Sequence, residues 1–161
     1  MWHRLASGSS LVRPAENSKF SFTVTPFEIA SQVAFLLNVN NSLEHLYDAQ
    51  RIINSPVQYF IELHGHKVTG CVGLLRETKM DKVVHLSVDQ KFRGIGIGAK
   101  LLSTAVNASL KDTIYMTIRD SNIPSQRVAS KLGFKFIAYI PKYDYNLFTF
   151  CLFRRSDVFR K

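Results

Sequence analysis

At 161 residues the chain has the length of one domain, enough to bury about 70% of its unfolded surface without a metal or disulfide staple. Hydrophobic residues make up 46% and charged residues 20%, which excludes a wholly disordered chain. The net charge of +9, from 21 Lys and Arg against 12 Asp and Glu, predicts an anionic partner without naming it.

Cys71 and Cys151 lie far apart in apolar runs. No His/Cys cluster has metal-ligand spacing, so no metal site is predicted, and the cysteines read as reduced core thiols of a cytoplasmic protein. No apolar run reaches the roughly 18 residues of a membrane span. Residues 1–19 carry Arg4, Arg13 and several serines but no apolar signal region. They are expected to form a flexible leader before a domain over 20–161.

In chain order, residues 20–24 alternate and predict a strand. Thr25, Pro26 and Glu28 form a capping box that opens a helix running to about Asn38. Asn40, Asn41 and Ser42 break it, and Ser42 is placed to cap a second helix over 43–53. Strands over 57–63 and 67–75 flank His64-Gly65-His66, a tight hairpin. A strand over 83–88, a helix over 96–109 and a strand over 113–118 follow. A helix over 124–132 ends at Gly133 in the C′ position. Strands over 134–140 and 145–153 close the chain. The hairpins predict antiparallel pairs, and the crossover from 83–88 to 113–118 predicts one parallel pair in a mixed sheet.

The sharpest feature is the run Val88-Asp89-Gln90-Lys91-Phe92-Arg93-Gly94-Ile95-Gly96-Ile97-Gly98-Ala99-Lys100. A strand ends, a glycine loop turns and a helix begins, so unpaired amides and the helix dipole converge on one point suited to phosphate. Lys91, Arg93 and Lys100 add positive charge. A nucleotide P-loop fails, because Ala99 precedes Lys100 and Leu101 follows it. A dinucleotide fingerprint is formally met by Gly94, Gly96 and Ala99, but it belongs at the start of a βαβ fold, not deep in the chain.

Arg93-x-x-Gly96-x-Gly98 resembles the [RQ]xxGx[GA] motif of the GNAT family of N-acetyltransferases. Asn122-x-x-Ser125 with Lys131-x-Gly133-Phe134 is similar to that family's next helix. The close resemblance covers residues 83–134. It implies an α/β GNAT fold: a central mixed, mostly antiparallel sheet of about seven strands, flanked by about four helices, with a splayed parallel strand pair. It implies acetyl-CoA as co-substrate and acetyl transfer to an amine by direct attack in a ternary complex. Leu86, Ser87 and Val88 would offer backbone groups to the pantetheine arm and acetyl oxygen. Amides of Arg93, Gly94, Ile95, Gly96, Ile97, Gly98 and Ala99 would hold the pyrophosphate. Asn122 and Ser125 would meet the pantetheine or sulfur region, and Arg127 and Lys131 the outer phosphates.

The catalytic groups are less plain. Many family members carry a tyrosine proton donor where this chain has Ala129. Tyr139, Tyr143 and Tyr145 are substitutes, with Tyr139 and Tyr143 carried as candidates. His85 is the candidate base or relay member, its ordinary pKa near 6.5 suiting the task; Glu62 and Glu77 lie in or beside the preceding strands. Two further readings stay open. One is a nucleic-acid modifier, from the basic Arg154, Arg155, Arg160 and Lys161 and the aromatics Tyr139 to Phe153; the other is a non-catalytic CoA-binding module. The acceptor, the acyl group and the oligomeric state are not written in the sequence.

Overall fold

The structure is a computed structural model, and it describes residues 3–5, 24–40, 45–142 and 146–158. Thr25 and Glu28 close the capping box reciprocally: the Thr25 N–H donates to the Glu28 carboxylate at 2.6 Å, and the Glu28 N–H to the Thr25 hydroxyl at 3.2 Å. Those bonds hold the Glu28 carboxyl below the usual carboxylate range. Helix α1 follows over Pro26–Asn40. Helix α2 covers only Ala49–Ile53, capped by Asp48, whose carboxylate accepts the Arg51 N–H at 2.7 Å. This corrects the longer helix expected from Ser42. The Asn38 side chain bonds both the N–H and the C=O of Tyr47, at 2.9 and 2.8 Å. That clamp keeps residues 45–48 out of helical conformation. Of the strand expected over 20–24, residues 20–23 lie outside the described residues.

Seven strands form one sheet in the order β1-β2-β3-β4-β5-β7-β6. They are β1 His3–Leu5, β2 Val57–His64, β3 Lys67–Leu75, β4 Asp81–Val88, β5 Thr113–Arg119, β6 Lys135–Lys142 and β7 Asn146–Arg154. Strand β1 lies within the stretch expected as a leader and pairs antiparallel with β2. Among the described strands only β4 and β5 are parallel, joined by α3 over Ile97–Ala108. Helix α4 spans Ile123–Leu132, and a last turn, α5, spans Arg155–Val158. Among the described residues no helix is long and apolar enough to cross a membrane.

Strand alternation sends side chains to two cores. Tyr59, Ile61, Val68 and Cys71 pack under α1 and α2. Phe60, Val72, Leu74, Val83, Ile114 and Met116 pack under α3 and α4 with Leu101, Leu102 and Phe134. Each large buried side chain contributes about 1.5–3 kcal/mol. Phe153 lies 7% exposed against Phe134, in the core and not on a stacking surface. Arg155, one of the C-terminal basic residues behind the nucleic-acid alternative, caps α3. Its guanidinium donates to Val106 O at 2.6 Å and Ser109 O at 2.9 Å, at the carbonyl end of the helix.

The closed end of the β4/β5 pair is pinned by Asp81, which is fully buried. It accepts from Ser109 Oγ at 2.7 Å and Arg76 at 2.8 Å. From there β4 and β5 pair through Asp81↔Ile114, Lys82↔Tyr115 and Val83↔Met116, and then part.

Candidate active site

Where β4 ends, the Asp89 carboxylate accepts the Lys91 N–H at 3.0 Å and pairs with Lys67 at 2.6 Å. The hydrogen bond from Lys67, then that from Lys91, holds its carboxyl below the usual range. A 3-10 turn over Gln90–Phe92 follows. Arg93 folds back: Nε donates to Val88 O at 3.0 Å and the guanidinium tip to Asn40 Oδ1 at 2.9 Å, tying the loop to the end of α1. Gly94 and Gly96 then take φ of +82° and +92°, which L side chains rarely adopt. Nothing lies within 4 Å of where a Cβ would stand at either glycine.

The first bond of α3 runs from Lys100 N–H to Gly96 O at 3.0 Å. Among the described residues no backbone acceptor meets the N–H groups of residues 94–99. A curl of amides with no backbone partner among the described residues, at the positive end of a helix, fits a diphosphate. Two of the loop's basic side chains have protein partners. Lys100 is salt-bridged to Glu62 at 2.9 Å, and Arg93 serves as a strut.

Beyond Val83 and Met116 the β5-facing edge of β4 has lost its partner. The β3/β4 register slips here as well: Cys71 faces Ser87 but Gly73 faces Val84, so His85 and Leu86 form a bulge opposite Val72. Leu86 and Val88 pack toward α3. Ser87 is buried, and its hydroxyl donates to Leu36 O on α1 at 3.5 Å. His85 is the one described non-glycine residue with positive φ, +57°.

That conformation sets the His85 imidazole between two tyrosines. Nδ1 lies 2.6 Å from the Tyr59 hydroxyl, and the two rings stack at 5.8 Å. Nε2 lies 3.1 Å from the Tyr47 hydroxyl, whose ring meets it edge-on. Burial, with a smaller contribution from Lys82, pushes the His85 pKa down to about 4, so the imidazole is neutral at physiological pH. Burial also raises the Tyr59 phenol and pushes the Cys71 thiol up to about 12.

Helix α4 opens on Asn122, whose side chain caps it by accepting the Ser125 N–H at 3.2 Å. Arg127 and Lys131 stand exposed along it. Ala129, at the position where family members carry tyrosine, is 1% exposed in the core beneath α4. Tyr139 is exposed on β6 against Phe136, and β5 and β7 separate its strand from β4. The structure does not bring it to the bulge. Tyr143 and Tyr145 lie outside the described residues. Glu62 is engaged by Lys100 beneath α3, and Glu77 accepts the Tyr115 hydroxyl at 2.9 Å; neither meets His85. Tyr47 and Tyr59 were not singled out by sequence. The available signal was a strand tyrosine amid apolar residues, whose buried hydroxyl requires a partner.

The profile of the acetyltransferase (GNAT) family matches residues 27–134. No curated protein matches the chain. Among solved structures it is similar to yncA of Salmonella typhimurium, solved with its cofactor acetyl-CoA, at 19% identity and TM-score 0.65 over 79% of this chain and 86% of that one. An N-acetyltransferase of Staphylococcus aureus Mu50 gives 19% and 0.68 over 83% and 96%. A GNAT family acetyltransferase of Elizabethkingia anophelis with acetyl-CoA bound gives 14% and 0.59 over 74% and 88%. The chain belongs to the acetyltransferase (GNAT) family, and the class of reaction is acetyl transfer with acetyl-CoA as co-substrate.

Proposed function

We propose that this chain moves the acetyl group of acetyl-CoA to an amine by direct attack in a ternary complex. The observation that carries this reading is the joining of two features on one strand. The amides of residues 94–99, without backbone partners among the described residues, follow β4, and the polar Tyr47–His85–Tyr59 chain meets β4 where it parts from β5. In this reading the amides of Gly94 to Ala99 hold the diphosphate. The backbone of Leu86, Ser87 and Val88 lines the pantetheine arm, and the start of α4, with Asn122 and Ser125, faces the sulfur end. Arg127 and Lys131 screen the outer phosphates from α4.

His85 acts as a neutral hydrogen-bonding group, because its lowered pKa makes it a weak proton acceptor. Ala129 supplies no proton donor and favours one rival reading, a CoA-binding module without turnover. One experiment addresses both. Saturating acetyl-CoA should raise the melting temperature, and an amine panel (a lysine peptide, a free N-terminal peptide, a polyamine and an amino sugar) should release thiol with at least one member. No melting shift refutes the acetyltransferase reading. A shift without thiol release from any amine leaves the binding module.

A further inference from the structure

The chain Tyr59–His85–Tyr47 has a direction. Tyr59 is fully buried, and among the described residues His85 Nδ1 is the partner of its hydroxyl. If Nδ1 carried the imidazole proton, the Tyr59 O–H would be stranded in the core without an acceptor. The satisfied arrangement has the Tyr59 O–H donating to Nδ1 and Nε2–H donating to the Tyr47 oxygen. The Tyr47 proton is thereby turned away from His85, and each bond polarises the next toward it. The phenol is also fixed in place. Asn38 clamps its backbone on both sides, and the Arg51 guanidinium lies 4.9 Å over its ring. That cation stands against the charge a phenolate would carry once its proton has left.

Resting on the acetyltransferase reading above, we propose that Tyr47 is the proton donor to the leaving sulfur of the thioester, with His85 and Tyr59 as positioning residues behind it. Tyr47 comes from the α1–α2 connection and stands in for the tyrosine that α4 lacks at Ala129. The amine nitrogen bonds to the acetyl carbon, and the C–S bond breaks with its electron pair on sulfur. The Tyr47 hydroxyl proton passes to that sulfur. The proton shed by the new amide nitrogen returns to the phenolate through solvent, so nothing is oxidised or reduced.

Coenzyme A bound to the intact protein is the probe, its thiol titrated by the ultraviolet difference absorbance of the thiolate. A hydroxyl donated to sulfur favours the thiolate. The bound thiol should therefore titrate about one pH unit lower in the wild type than in Tyr47→Phe, with the CoA-induced melting shift equal in both. Equal midpoints overturn the proposal. So does loss of CoA binding in Tyr47→Phe, since the phenol would then hold ligand instead of supplying a proton. His85→Asn keeps a residue tolerant of positive φ and should raise the midpoint by a smaller amount. No change there overturns the positioning role of His85. Failure of the wild type to bind CoA is a failure of the acetyltransferase reading, seen in the melting shift alone.

Discussion

Gly96→Asp tests the amide curl, and its effect divides into two parts. The first is backbone strain: at φ +92° an L side chain costs about 1–2 kcal/mol. No steric charge is added, because nothing lies within 4 Å of the new Cβ. At about 2–4 °C per kcal/mol for a domain of this size, the unliganded mutant should melt roughly 2–8 °C lower. The second part is electrostatic. A carboxylate about 4 Å from a phosphate charge, at an effective dielectric near 20, repels by about 4 kcal/mol, close to a thousandfold in affinity.

Wild-type protein at a ligand concentration of about 100 Kd gains about 2.7 kcal/mol, seen as roughly 5–10 °C in a thermal melt. At the same concentration Gly96→Asp should show no resolvable shift. Gly96→Ala carries the strain without the charge, so it should melt as low as the Asp variant yet recover the shift when acetyl-CoA is raised. A Gly96→Asp protein that keeps the wild-type shift refutes the placement of the diphosphate on these amides.

Two further outcomes follow from buried polar groups. His85 binds its proton in the folded state only near pH 4, against 6.5 for a free imidazole. Between those values the unfolded chain holds more protons, so folding stability is full above about 6.5 and falls as pH drops to about 4, by roughly 3 kcal/mol. An imidazole resonance titrating near 4, and a shallower acid dependence in His85→Asn, check this; a His85 midpoint above 6 contradicts it. Asp81→Ala removes a buried carboxylate from Arg76 and Ser109, and because Arg76 is 38% exposed the cost is discounted to about 2–3 kcal/mol. A urea midpoint equal to wild type would show that the closed end of the β4/β5 pair does not depend on it.

Much of the scaffold was legible from local chemistry. The Thr25-Pro26-Glu28 signature fixed the start of α1, and Gly133 the end of α4, where Phe134 N–H also closes onto Ala129 O at 3.0 Å. Glycine spacing located the phosphate loop because the need for positive φ and bare amides is a property of a few consecutive residues. What escaped was non-local. The start of α2 was misplaced because the Asn38 clamp on Tyr47 reaches across nine residues of sequence. The partners of Arg93 and Lys100 are not legible in the sequence because Asn40 and Glu62 arrive from other elements. Tyr47 and Tyr59 went unnoticed for the same reason: only the bulge in β4, a product of three-strand register, turns His85 toward both.

That bulge carries its own test, since backbone strain and side-chain bonding pull opposite ways at residue 85. Replacing His85 with either glycine or alanine orphans the buried Tyr59 hydroxyl, a loss of about 1–3 kcal/mol common to both. They differ only in the backbone. In an ordinary strand glycine is the worse by roughly 0.5–1 kcal/mol through its lost entropy. At φ +57° the penalty falls on alanine instead, by about 1–2 kcal/mol. The usual order should therefore invert, with His85→Gly more stable than His85→Ala by up to about 1.5 kcal/mol in urea denaturation. If alanine proves the more stable, residue 85 is not held in the left-handed region, and the imidazole is not turned by the backbone toward Tyr47. Where the order does invert, the wild type tolerates the strain at residue 85 because two tyrosine bonds and a buried ring offset it. This is the expected energetics where a conformation is kept for what it aims and not for the stability it adds.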